Sequence, residues 1–147
     1  MIYNALDISN YILYYYKHSK DYYISNLRLQ RLLYYCQAKW LVNNNVPLFS
    51  DDILSWDNGP IVRNIYRRYK PYGSAIIPTD TITETDIIMI NDNDRKILNE
   101  ILDKCIKISS NILKDITVTK SAWKECYQVH RENVIPHDKI KEFFKED

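Results

Sequence analysis

Residues 26–73 read NLRLQRLLYYCQAKWLVNNNVPLFSDDILSWDNGPIVRNIYRRYKPYG, and the fold turns on how this stretch is parsed. Leu29, Leu33, Cys36 and Trp40 step by four, three and four, and Leu32 and Leu41 widen that stripe enough to face a core, which predicts a long amphipathic helix. Ser25 or Asn26 can cap it, because a short side-chain oxygen accepts from an N–H that the first turn leaves unpaired. The helix frays at Asn43, Asn44 and Asn45, whose amides compete for backbone bonds. Pro47 denies a donor to any ladder, so residues 46–52 form a loop. A short strand is expected over residues 53–56, with the apolar tetrad 87–90 as its best pairing partner. Asp57-Asn58-Gly59-Pro60 then signals a helix start, since proline is tolerated at the first helical position and Asp or Asn can cap. Ile61, Ile65 and Tyr69 line one face of this second helix, beside Val62 and Tyr66, until Pro71-Tyr72-Gly73 stops it.

The same periodicity extends outward. Ile8, Ile12, Tyr15 and Tyr16 share one helical face over residues 5–16, and the charged run from Lys17 to Asp21 breaks it. Residues 74–85 are rich in Thr and Pro and read as a surface connection. Asn93 or Asp94 caps a further helix whose core stripe is Ile97, Leu98, Ile101, Leu102, Cys105 and Ile108. Ser109 or Ser110 starts a short helical turn, a weaker helical segment surrounds Trp123, and Pro136 precedes a last helix with Ile140, Phe143 and Phe144 inward. No repeat, low-complexity tract or linker interrupts the chain. The fold class is therefore mainly α: a single compact domain over residues 1–147, of about five to seven helices with at most a short two-stranded β element.

Composition narrows the function classes. A chain of 147 residues fits one domain that buries a real core without disulfide or metal staples. An apolar fraction of 46% with only two glycines argues against disorder. The formal net charge is +1, which lacks the basic excess of a typical phosphate binder. Cys36, Cys105 and Cys126 are far apart and odd in number, as expected of reduced thiols in a cytosol. The N-terminal stretch has neither a basic n-region nor an apolar run long enough to span a bilayer. A soluble, cytoplasmic protein is expected.

Chemistry needs convergent groups, and few are in view. Neither glycine belongs to a phosphate-cradling loop. Asp51-Asp52 and Asp92/Asp94 are explained by capping and loop solvation. Cys126 and His130, at i and i+4, could place a thiolate beside an imidazole or form half a metal site, but no further ligand is near. The reading is of a non-enzyme without metal or cofactor. The basic helix carries more. Arg63, Arg67 and Lys70 step by four and three along one face with Arg68 beside them, and Tyr66, Tyr69 and Tyr72 are interleaved. That face is either simply solvated or a recognition surface, because Arg and Tyr are enriched at binding hot spots and Arg bonds carboxylates or phosphates bidentately. Nine of the 13 tyrosines precede Cys36. Tyr14-Tyr15-Tyr16 spans too wide a helical arc for burial in one core, which leaves at least one exposed or at an interface, as a homodimer would allow.

Four short motifs recur here in a fixed order: Leu27-x-Leu29-Gln30-x-Leu32-Leu33-Tyr34, then Pro47-Leu48-Phe49, then Trp56-x-x-Gly59-Pro60-Ile61-Val62, then Tyr66-x-x-Tyr69-Lys70-x-Tyr72-Gly73. Together they resemble the Panacea domain, the SocA-like and phage-associated GepA-like family of antitoxins, with Ala5–Tyr11 similar to its opening helix. The resemblance is weaker near the C-terminus. Family members often carry Leu-Thr-His shortly before a Trp, whereas this chain has Ile116-Thr117-Val118 before Trp123, so Val118 stands where that histidine would be. The resemblance implies an antitoxin of a bacterial or prophage toxin–antitoxin pair that neutralises a cognate toxin, encoded by an adjacent gene, through direct protein binding. It also admits an adaptor that delivers a toxin to a AAA+ protease. A DNA-binding autoregulator of its own operon is the alternative that the basic helix suggests, and nucleic acid is otherwise not an expected partner. For partner binding, Trp56, Asp57, Asn58, Gly59 and Pro60 are read as shaping the turn and Arg63, Arg67, Arg68 and Tyr69 as contacts.

Overall fold

A computed structural model gives the three-dimensional structure and describes residues 2–146. The chain forms α1 (Ala5–Lys20), α2 (Asn26–Asn44), β1 (Leu54–Trp56), β2 (Gly59–Ile61), α3 (Arg63–Tyr69), α4 (Asp92–Ile106), α5 (Ser110–Lys114), α6 (Trp123–Cys126), β3 (Asn133–Val134) and α7 (His137–Phe143). Helix α1 starts in a capping box, with the Asn4 side chain accepting from Asp7 N–H at 2.8 Å and the Asp7 carboxylate accepting from Asn4 N–H. It runs through the charged residues expected to break it and ends at Asp21, in the left-handed region at φ 48°. Ser25, rather than Asn26, caps α2 by accepting from Arg28 N–H. Asn91, rather than Asn93 or Asp94, caps α4.

All six stripe residues of α2 are buried, and α2 forms the centre of one continuous core. Two glutamines on this helix are buried as well and use their amides to hold its neighbours. Gln37 Oε1 accepts from Leu48 N–H at 2.7 Å and Nε2 donates to the Phe49 carbonyl at 2.9 Å, which pins the Pro47 loop. Gln30 Oε1 accepts from Val62 N–H at 2.8 Å, and Asn26 Nδ2 donates to the Tyr66 carbonyl at 3.0 Å. These bonds seat the start of α3, which has no side-chain cap of its own.

The β element departs from expectation. It has three strands in the order β2-β1-β3, all antiparallel, instead of two. The partner of β1 is the adjacent Gly59–Ile61, with Trp56 opposite Gly59 across a two-residue Asp57-Asn58 tip. Residues 87–90 do not pair with it. Glu84–Ile87 is instead a 3₁₀ turn that buries Ile87 and Ile90 against the core while Ile88 points outward. Asp57-Asn58 forms the turn of the hairpin, with Gly59 following it at positive φ, and this overrides the Gly-Pro helix-start signal. Pro60 is accommodated because β2 is an edge strand, where a missing N–H does not interrupt a ladder. The helix consequently begins at Arg63.

The tyrosines of α1 serve the fold. Tyr11, Tyr15 and Tyr16 hydroxyls donate to Asn99 Oδ1 at 2.6 Å, Asp103 Oδ1 at 2.6 Å and the Leu102 carbonyl at 2.8 Å. Tyr3 likewise donates to Asp94. Each ring fills the gap between α1 and α4 while its hydroxyl reaches an acceptor on α4. Within the Tyr14-Tyr15-Tyr16 run, Tyr16 is buried, Tyr14 and Tyr15 are half-buried, and Tyr14 packs on His18.

Candidate partner-binding site

The β1–β2 hairpin tip is held by residues that follow it by some sixty to seventy positions. Trp123 Nε1 donates to the Trp56 carbonyl at 2.6 Å, and Tyr127 OH donates to Asp57 Oδ1 at 2.6 Å. The Trp123 and Tyr127 rings stack at 4.7 Å. Between α5 and α6 the chain makes a π-helical turn, Asp115–Thr119, that presses Val118 beneath the hairpin. Gly59 sits at φ +124°, and a Cβ there would lie 2.8 Å from Val118 Cγ2. The glycine is thus required twice, by the backbone angle and by the close approach of Val118. Val118 thus forms an apolar floor under this turn.

The predicted site residues divide by what they expose. Asp57 and Asn58 form the exposed tip, while Trp56 is half-buried against Tyr66 with ring centroids 5.2 Å apart, its Nε1 buried without a partner. Gly59 and Pro60 are buried. Arg63, Arg67 and Arg68 lie exposed on α3. Arg63 is engaged by Glu132, and the Arg68 guanidinium lies 5.9 Å from the Tyr69 ring centroid. Tyr69 itself is 7% exposed, and burial raises its phenol above the usual range. Tyr69 therefore presents no free face of its own; it supports Arg68.

Depressions surround the tip. A cleft of about 450 Å³ runs between Trp56, Asn58, Tyr66 and Lys70 toward Leu27. A second, of about 500 Å³, lies where Arg63 and Arg67 face Asp51 and Asp52. A smaller one beside Asp57 is bounded by His130, Arg131 and Glu132. The Arg63–Glu132 pair joins the last two into one rim.

The Cys126/His130 pair does not share a helical face. Helix α6 ends at Cys126, and His130 lies beyond it in the left-handed region at φ 62°. Burial raises the Cys126 thiol, which disfavours a thiolate. Helix α3 follows a β-hairpin, so the basic helix is not the second helix of a helix-turn-helix. Among the described residues no group of three or more His, Cys, Asp or Glu could hold a metal ion, and no helix is long and apolar enough to cross a membrane.

Sequence reasoning passed over Gln30, Val118 and Tyr127 as parts of this region. The local cue was the turn-favouring run Asp57-Asn58-Gly59 between two apolar segments. The contacts to Val118, Trp123 and Tyr127 join distant segments and leave no periodic trace.

The family model described as "Antitoxin SocA-like, Panacea domain" matches residues 29–124, from within α2 to the second residue of α6. Helix α1, similar to the family's opening helix, lies outside that match. The curated protein "Antitoxin SocA" of Caulobacter vibrioides (strain NA1000 / CB15N) is 37% identical over 57 residues, 39% of this chain and 30% of the relative. The chain thus spans under a third of the length of the curated relative it matches. No solved structure matches the chain.

Proposed function

The chain belongs to the family of SocA-like antitoxins with a Panacea domain, and from that premise we propose that it neutralises a cognate protein toxin by binding it directly. The observation that carries the reading is family membership over the segment that builds α2, the hairpin and α3. The geometry supports a binding surface rather than a reaction centre. Arg67 and Arg68 are exposed and adjacent on a short helix whose other face is anchored by Ile65 and Tyr69, and the hydrogen-bonded tip Asp57-Asn58 projects beside them. Arginines presented from a fixed element with tyrosines around them are suited to a protein partner. The toxin is expected from an adjacent gene, and the surface would serve it in the cytoplasm.

The test is co-expression with the product of the adjacent gene, scoring growth rescue and co-purification together. Rescue with a stable complex is expected. Charge reversal at Arg67 and Arg68 should abolish both while leaving the thermal transition within ~0.5 kcal/mol of the wild type, as for surface substitutions generally. Full rescue by that double variant would place the interface elsewhere. Rescue without a complex, together with loss of toxin that depends on a protease, would favour delivery to a AAA+ machine.

A further inference from the structure

On the α6 side of the hairpin tip, three cationic side chains from three different elements line one groove of about 380 Å³: Arg31 from α2, Lys114 from α5 and Lys124 from α6. Among the described residues none of the three forms an ion pair, although eight such pairs occur elsewhere. Arg31 is half-buried, and its Nε is out of contact with water and has no acceptor. Burial, with the neighbouring Arg28 adding to it, disfavours its charged form. A buried N–H without an acceptor costs free energy that a partnering acceptor would recover. Apolar side chains line part of the groove as well. Leu27, on the first turn of α2, is 45% exposed, and Val118 and Trp123 contribute the floor and one wall. The floor is the π-helical turn, a rare conformation frequent at functional sites.

Resting on the antitoxin reading, we infer that this groove docks an acidic peptide segment of the toxin. Carboxylates of the segment would bond Arg31, Lys114 and Lys124, and an adjoining apolar side chain would lie on Leu27 and Trp123. A peptide fits better than a nucleic acid for two reasons. The volume suits a few side chains. The net charge of the chain is only +1, so no extended basic track leads to the groove. The arrangement also places the toxin across the hairpin tip, because Asp57 and Asn58 border both this groove and the cleft toward Lys70.

The experiment measures binding of the purified full chain to the co-expressed toxin at low and high salt. The variants are Lys114→Glu/Lys124→Glu, which alters only exposed side chains, and Arg31→Gln. Thermal melts confirm that each remains folded. Affinity is expected to fall at least about tenfold in the lysine double variant, with a weaker salt dependence than the wild type. Reversing acidic residues in one toxin segment should restore binding to the double variant. A double variant that binds within about twofold of the wild type would overturn the groove while leaving the antitoxin reading intact. Tight binding of a single-stranded oligonucleotide probe, lost in these same variants, would overturn the peptide in favour of a nucleic acid. Failure of the wild type to bind the toxin at all would overturn the antitoxin reading, and the groove with it.

Discussion

Along α1, each tyrosine hydroxyl that reaches α4 ends on an acceptor: Tyr11 on Asn99, Tyr15 on Asp103 and Tyr16 on the Leu102 carbonyl. Around the hairpin tip Trp56 Nε1 and Arg31 Nε end on nothing, and Lys114 and Lys124 have no carboxylate partner among the described residues. Other buried atoms also go without partners, Ser9 Oγ on α1 among them. At the hairpin end such atoms coincide with unpaired charges, exposed arginines and clefts. The two regions draw on the same residue types, aromatic and charged. In the first they complete the fold internally. In the second they are positioned by the fold and left incomplete, as the binding surface proposed above requires.

The comparison can be broken most forcefully at Gly59. Gly59→Ala combines a positive φ with a Cβ 2.8 Å from Val118 Cγ2, and a loss of ~2–4 kcal/mol is expected in urea unfolding. Gly59→Ala/Val118→Ala should recover the steric part and none of the backbone part. A neutral Gly59→Ala would show that the hairpin is not seated as described. Next in size are the buried amides. Gln37→Leu strands Leu48 N–H, which Gln37 Oε1 accepts at 2.7 Å, and should cost ~2–3 kcal/mol in the same assay. Gln30→Leu should cost a similar amount and also weaken toxin binding, because it releases the start of α3; binding at wild-type strength in a folded Gln30→Leu protein would uncouple the two.

A pH series sharpens the contrast on the well-paired side. Burial disfavours the Glu146 carboxylate, but hydrogen bonds from Lys104, Lys39 and Tyr35 outweigh it and bring its pKa from 4.5 down to about 2. With the folded value below the unfolded one, the contribution is complete above about pH 4.5 and disappears as the pH falls toward about 2. Glu146→Gln should therefore lose roughly 1–2 kcal/mol at neutral pH after allowance for screening, and the difference from wild type should close in acid. A gap that persisted unchanged at low pH would assign the effect to packing. Smaller still, Tyr15→Phe removes the bond to Asp103 at ~1 kcal/mol and should leave toxin binding unaltered. Weakened binding in that variant would mean that the α1 face also serves the partner.

Legibility followed the range of the interactions. The stripe of α2 and, up to Cys105, that of α4 were read correctly because the apolar positions of a helix recur every 3–4 residues whatever the helix packs against, while Ile108 lies past the end of α4 at Ile106. The α2 cap and the proline before α7 are equally local. The strand pairing of residues 53–56 was misassigned because an apolar tetrad offers no evidence of its partner, and the proline after Gly59 masked the turn. Exposed residues of the candidate site were legible as types, Arg67 and Arg68 above all. Their division from Tyr69, Gly59 and Pro60, which are buried, depends on how α3 rests on α2 and how β2 sits over Val118.

By itself, the sequence determined the mainly helical class, the central helix, most helix starts and the family, since each rests on near neighbours or on motifs in fixed order. Only the tertiary structure decided that Val118 lies under Gly59, that Trp123 and Tyr127 hold the hairpin tip, and that Arg31, Lys114 and Lys124 converge on one groove. The physical reason is that such contacts join residues tens of positions apart. Their distances are set by how helices and strands pack in three dimensions, and no local period or propensity encodes them.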